Sequence, residues 1–505
     1  MPNPVERRLL YLCDHWSRFT ADPSKRLLVW RVQDNAVRIV ECFFEIQKHQ
    51  TDYTTGDLFV VFDAAFENSV QYSRALKDAL AGHYEASRAD LEREGIQADW
   101  SFDPAAVPHS ARGFVDSLRS FGSRHHRHIG RLVAVLIPKG IQPEAHAAFT
   151  GWLERALSAQ LPERLRIAVV DSTEVPRLES LIEADHPQVH VDSPEIDGLE
   201  TAQETFAQEA AVGPAAVFRN LLMGLVTLVE KAPADKVALK AGDALAFARK
   251  QGWSDQEVVI GVLVAGSLLK DRRFDEAIAS YASARDAAQK TVVSGHPAGR
   301  QLVLQTWFGE AGAHLAAGDS QRAADCYREA ALLAHAIPNL VLAIEALRME
   351  AFCRARAGKR DEAIETGHAA MRVGARLKAD ARPMTTLPIA AVDLMRVLDP
   401  ERVALIADVK SRLACREIEA QQSAERRAEE LEGVDDPAAF DGIEDQRASD
   451  MHVAAQEAES ELQAIIDGAD PGFAEVFDNG RELLGTEWPL AHVIAVAREA
   501  AAQAS

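Results

Sequence analysis

Asp63 and Asp171 each close an apolar run, Leu58-Phe59-Val60-Val61-Phe62 and Ile167-Ala168-Val169-Val170. A carboxylate in that position can hold a magnesium ion beside a phosphate, if a glycine-rich turn brings backbone amides to the anion. The turn after the first apolar run is Arg31-Val32-Gln33-Asp34-Asn35-Ala36. It has no glycine, and the Asp34 carboxylate would repel phosphate, so Asp34 or Asn35 suits a helix N-cap instead. The pattern GxxxxGK(S/T) occurs nowhere in the chain, and aspartate is a common strand terminator in its own right. Ser123-Arg124-His125-His126-Arg127-His128 sets imidazoles one and two residues apart. No acidic or thiol ligand accompanies them, so a solvated basic turn is expected, able to meet an acidic protein surface. Cys13, Cys42, Cys326, Cys353 and Cys415 are scattered without a CxxC pair, which predicts reduced thiols and neither a disulfide framework nor a zinc site. Ser110, Ser117 and Ser172 lack a GxSxG elbow. The side-chain chemistry therefore predicts no catalytic, cofactor-binding or metal-ligating set, and a chain that is not an enzyme.

The elements that carry these residues differ between the two halves. A length of 505 residues suggests two to four domains, and 47% hydrophobic with 26% charged residues is an ordinary globular balance. A net charge of -22 argues against nucleic acid and against anionic lipid, since both need a basic face. No run approaches the roughly 18 apolar residues of a membrane span. The short apolar group 9–13 is interrupted by Asp14, His15 and Arg18, unlike a secretory leader, so a cytoplasmic protein is expected. Strands are predicted at 26–32, 58–62, 132–137 and 165–170, with a weaker one at 188–191. Helical patterns at 4–19, 34–48, 69–94, 110–122 and 143–159 separate them. That alternation implies a three-layer α/β domain with a mostly parallel sheet over residues 1–198. Its layout loosely resembles a regulatory ATPase core without its phosphate loop.

Residues 199–213 are acidic and small, punctuated by the Gly213-Pro214 pair, and are expected to be a linker. Beyond them the pattern is helical. One signature occurs three times: Lys270-Asp271-Arg272-Arg273-Phe274-Asp275-Glu276-Ala277, Gly318-Asp319-Ser320-Gln321-Arg322-Ala323 and Gly358-Lys359-Arg360-Asp361-Glu362-Ala363. Each is a polar turn between two helical runs, closed by a small residue where the helices must touch. Ala323, Tyr327 and Ala330, spaced four then three, fall on one helical face. Tyr281 holds the same place in the first copy, and Gly367 stands there in the third. These features resemble the tetratricopeptide repeat over residues 215–380, although the key alanines are 46 and 40 residues apart where the family usually has about 34. The resemblance implies an all-α superhelical array over 214–380 that grips a polypeptide in its groove.

Polar residues on the leading helices that do not match packing positions are the candidate partner-binding set: Gln305, Glu310, His314, Glu345, Arg348 and Arg354. Their mixed charge suits an extended or helical protein segment. Residues 381–505 are expected to be an acidic helical region, with 24 acidic against 9 basic side chains in 401–505. Helices are expected there at 400–432, 447–466, 471–483 and 489–503, and Trp488-Pro489-Leu490 as an apolar anchor. The function this predicts is a non-enzymatic adaptor, scaffold or chaperone with a protein partner and no cofactor, in the manner of accessory proteins that hold a cargo or effector for a bacterial secretion machine. The alternative is a nucleotide-dependent signalling switch in which Asp63 and Asp171 hold magnesium.

Overall fold

The computed structural model describes residues 3–49, 51, 53–198, 200–201, 204–205 and 213–490. Most of the linker expected at 199–213 and nearly all of the helix expected at 489–503 lie outside the described residues. Two units are present: residues 1–210 together with 414–453, and residues 211–413 together with 454–505.

In the first unit the near-continuous apolar runs become five strands: β1 Leu27–Val32, β2 Leu58–Phe62, β3 Leu132–Leu136, β4 Leu165–Ser172 and β5 Val189–Asp192. Their order is β2-β3-β4-β1-β5 and every neighbouring pair is parallel. Parallel strands require crossovers. Helix α1 Pro4–Ala21 precedes the first strand, and the crossovers include helices α2 Val37–Ile46, α3 Ser69–Arg93, α4 Ala111–Arg124, α5 His146–Ser158 and α6 Glu179–Glu183. Alternation along β1 divides the core in two. Leu27 and Val29 cluster with Tyr72, Leu76, Phe114 and Trp152 of α3 to α5. Leu28, Trp30 and Val32 cluster with Leu12, Trp16, Phe43 and Phe44 of α1 and α2. The sheet is thus covered on both faces, which is why its central strands are largely apolar.

The second unit is a run of helices: α7 Pro214–Lys231, α8 Ala234–Gln251, α9 Ser254–Lys270, α10 Phe274–Val293, α11 Gly299–Ala316, α12 Ser320–Ala336, α13 Leu340–Arg356, α14 Arg360–Gly374 and α15 Leu387–Leu398. Successive helices pack side by side, and leading helices also touch across hairpins, α7 with α9, α9 with α11 and α13 with α15. The repeated signature forms the turns. Each trailing amide bonds back to the fifth residue before it: Arg273 N to Leu268 O, Asp319 N to His314 O and Lys359 N to Arg354 O, all 2.9 Å. This closure needs a left-handed residue, and Gly318 (φ 88°) and Gly358 (φ 78°) supply it. In the first copy Arg272 takes that conformation at φ 60°.

Small residues then set how closely the hairpins approach. A Cβ on Gly309 of α11 would stand 2.2 Å from the Tyr281 ring of α10, so the tyrosine lies directly on the next hairpin. Tyr327 of α12 makes an edge contact with Phe308, centroids 5.8 Å apart. At the third copy, where Gly367 replaces the aromatic, Leu394 of α15 fills the space, 2.9 Å from where a Cβ would lie. Among the described residues three further helices follow, α16 Pro400–Glu430, α17 Pro437–Asp467 and α18 Pro471–Leu484. Trp488 is fully buried against Phe477, with Gly480 giving it room.

Helices α16 and α17 each contribute to both units. Their middle part, 414–453, is a component of the α/β unit. Ala424, Ala428, Phe440 and Ile443 cluster with Val70 of α3. Arg155 of α5 reaches Glu425 at 2.6 Å, Glu429 at 3.2 Å and Glu432 at 3.6 Å. The Glu425 carboxylate also accepts from the Ser69 amide and hydroxyl, at 2.9 and 2.5 Å. The acidic C-terminal region is therefore in part the binding strip that holds this hairpin to the α/β layers.

Candidate functional site

The six sequence-derived residues occupy two kinds of position. Glu310, His314 and Arg354 are buried. On α11, Glu310 and His314 lie four apart and so share a face. Glu310 forms an ion pair with Arg285 of α10 through one oxygen. Its other oxygen stands 3.9 Å from His314 Nε2 and 3.9 Å from Cys326 Sγ of α12. The Arg285 guanidinium also stacks on the Trp307 ring at 3.6 Å. Glu310, His314 and Cys326 present one donor atom each within 4.8 Å of one another, a set that could hold a metal ion. Arg285 already supplies the positive charge that an ion would bring. Burial, with Glu310 next, pushes the Cys326 thiol up to about 12, so it remains a neutral donor to the carboxylate. Sequence spacing gave no sign of this cluster, because the thiol comes from the second helix of the hairpin. Arg354 is likewise internal, bonded to Glu350 at 2.8 and 2.9 Å and paired with Glu362. Burial raises the Glu350 carboxyl even so.

Gln305, Glu345 and Arg348 are reachable from solvent. Arg348 bonds Glu345 at 2.7 and 2.8 Å within α13 and reaches Asp393 of α15 at 3.4 Å. That pair joins the leading helices of two hairpins. Along α13, Val341, Glu345, Arg348 and Phe352 follow one another at spacings of four, three and four, one stripe of the helix. Val341 and Phe352 are exposed, as is Ile389, four residues before Asp393 on α15. The result is a strip with charged groups at its centre and apolar side chains at its ends. These three apolar residues escaped the sequence reading, which looked only for polar ones. Their spacing was the available signal.

In the α/β unit, ligands of parallel sheets usually sit beyond the carboxyl ends of the strands, where adjacent connections part. Here that place is β1 and β4, and it is filled by the chain itself. Asp34–Ala36 is a short 3-10 turn. The Ser172 hydroxyl donates to Asp34 at 2.5 Å and accepts from the Glu174 and Val175 amides at 3.0 Å. Asn35 accepts from the Gly198 amide at 3.1 Å, and a Cβ on Gly198 would fall 1.9 Å from the Asn35 carbonyl. Asp171 is fully buried, accepts from the Arg177 amide at 2.9 Å, and lies 3.9 Å from Arg31 and 3.7 Å from Arg177. Asp63 is exposed and bonded to Lys139, which holds its carboxyl below the usual range. Asp63 follows β2 and Asp171 lies near the end of β4, with β3 between these strands, a spacing of about 9.6 Å, too far for one ion to join them.

The histidine segment divides. His125 is buried against the Tyr84 and Phe121 rings, centroids 5.6 and 5.0 Å away, and burial followed by Arg124 lowers its pKa. Arg124 is paired with Asp99. Only His126, Arg127 and His128 form the solvated basic turn that the sequence predicts.

No protein-family profile matches the sequence, and no curated protein aligns with it. Two solved structures align over nearly the whole chain. One is a Rap protein complexed with competence and sporulation factor, 11% identical over 98% of this chain and 99% of that one, with a TM-score of 0.25. The other is a Signal Transduction ATPase with Numerous Domains (STAND) protein with a tetratricopeptide repeat sensor from Pyrococcus horikoshii, 9% identical over 97% and 89%, with a TM-score of 0.19. Both TM-scores are too low to carry an inference.

Proposed function

We propose that the chain is a non-enzymatic protein-binding adaptor whose helical hairpins grip an extended or helical segment of a partner. The observation that carries this is the strip on α13 and α15, Val341, Glu345, Arg348, Phe352, Ile389 and Asp393. Exposed apolar residues flanking a partly buried ion pair suit a segment that lays apolar anchors over the ends and a polar group over the middle. Gln305 of α11 offers a further polar contact. The partner class that fits an adaptor of this kind is the cargo or effector of a larger machine, such as a bacterial secretion system, met in the cytoplasm. A photo-crosslinking amino acid at position 352 tests the reading in the native cell. A discrete polypeptide adduct is expected, lost in Arg348→Glu and Ile389→Asp variants that keep the wild-type helical content. Absence of an adduct, or one indifferent to both substitutions, refutes it.

A further inference from the structure

The carboxyl edge of the sheet is closed, but the opposite edge is not. β1, β4 and β3 are consecutive neighbours, and each is entered through the same dipeptide, Arg26-Leu27, Arg164-Leu165 and Arg131-Leu132. The register sets Arg131 level with Arg164, and Arg26 level with Arg166, two residues further along β4. Leu132 N bonds Arg164 O at 2.9 Å, which places Arg131 beside Arg164. Ile167 N bonds Arg26 O at 2.8 Å, which places Arg26 beside Arg166. Four arginines therefore gather on two rungs that lie two residues apart, a spacing that puts Arg164 and Arg166 on the same face of β4. Like charges directly opposite each other destabilise a sheet, and this occurs in a chain whose net charge is -22.

The compensation within the chain is slight. Arg131 lies 3.4 Å from Asp57, whose carboxylate also accepts from Trp16 at 2.9 Å. The other three donate to backbone carbonyls, Arg26 to Leu161, Arg164 to His126 and Arg166 to Leu165. Arg166 is 1% exposed, and its buried Nε has no hydrogen-bond partner. Burial first, then Arg26 and Arg131, lower its pKa to about 10. Arg131, Arg164 and Arg166, with Arg127, His126 and Glu163, line an open cavity of about 760 Å³. A smaller cleft of about 230 Å³ adjoins it, sharing His126, Ile129, Gly130, Glu163 and Arg164. Leu118, Gly122, Leu132, Pro162 and Leu165 make that cleft apolar.

We propose that this edge binds a small organic phosphate, its anionic group held by Arg131, Arg164 and Arg166 and its apolar or planar body lying in the Leu118–Leu132–Leu165 cleft. Guanidinium groups match phosphate oxygens in pairs, and an anion there removes the mutual repulsion of the rungs. The combined cavity is of the size that small-molecule sites have. Calorimetry with inorganic pyrophosphate and with ADP on the full chain, in low and physiological salt, tests it. Saturable binding is expected for both, weaker in the higher salt and at least tenfold tighter for ADP. Arg131→Ser and the exposed Arg164→Ser are each expected to weaken it at least tenfold, while Asp34→Ala leaves it unchanged. No saturable binding by either probe overturns the site, as does binding indifferent to both arginine substitutions. ADP no tighter than pyrophosphate removes the apolar cleft from it. Sensitivity to Asp34→Ala alone assigns the nucleotide to the other edge and overturns the proposal.

Discussion

At Arg272 the first hairpin does with an arginine what Gly318 and Gly358 do in the next two. A side chain in the left-handed region costs roughly 1 kcal/mol. Arg272→Gly is therefore expected to raise stability by about 0.5–1 kcal/mol despite the looser unfolded chain, and Gly318→Ala to lower it by about 1 kcal/mol, both read from denaturant midpoints. His109 carries a pH prediction. It is buried, and burial, then Lys77 and Arg74 of α3, hold its pKa at about 4 against an ordinary 6.5, with Asp441 of α17 acting the other way. Between those values the unfolded chain takes up a proton that the folded chain resists. Stability is thus full above pH 6.5 and is lost as pH falls toward 4, by roughly 3 kcal/mol. His109→Gln is expected to flatten that part of a pH–stability curve, and an unchanged slope would show the group to be solvated. The sequence placed both residues but not their states. A left-handed arginine and an imidazole enclosed by a helix some 330 positions away are set by backbone closure and burial, which composition does not encode.

Elements were more legible. The period-two and continuous apolar runs located all five strands, and the three polar turns located the hairpins, because each signal lies within a few residues of what it specifies. The Tyr281 position was also readable, since four-and-three spacing fixes a face. Gly309→Ala is expected to force the Tyr281 ring aside and cost about 1–3 kcal/mol, with Tyr281→Ala in the same background recovering part of the loss. What could not be read was the assignment of α16 and α17, whose alternation of alanine and charge suited a solvated helix equally well. Arg155 decides it, by gathering three glutamates. Arg155→Met should leave Glu425 (9% exposed) without its counter-charge and cost about 3 kcal/mol. Hydrogen exchange is expected to quicken in 414–453 while the strands remain protected, whereas uniform quickening would mean that the strip and the sheet are one cooperative block.

For the whole molecule, the division of the chain matters more than its charge. A sequence cut near residue 200 separates helical from α/β patterning, yet the α/β unit includes residues 414–453. A fragment of 1–210 is expected to fold with the Ser69 and Arg155 face bare and to unfold at a lower urea concentration than that unit does in the full chain. A separate 400–467 hairpin should restore the midpoint, and a fragment already as stable as the full chain would refute the dependence. The same discontinuity bears on biosynthesis. A ribosome delivers the sheet's own strands early, then more than two hundred residues of helical hairpins, before the strip that completes the sheet's outer layer leaves the exit tunnel. For that interval Val70 and the guanidinium of Arg155 face whatever the nascent chain meets. The front unit therefore stays incomplete until residue 453 has emerged, and a translation product stalled or truncated before 414 would carry an open acid-seeking surface that the finished protein has covered.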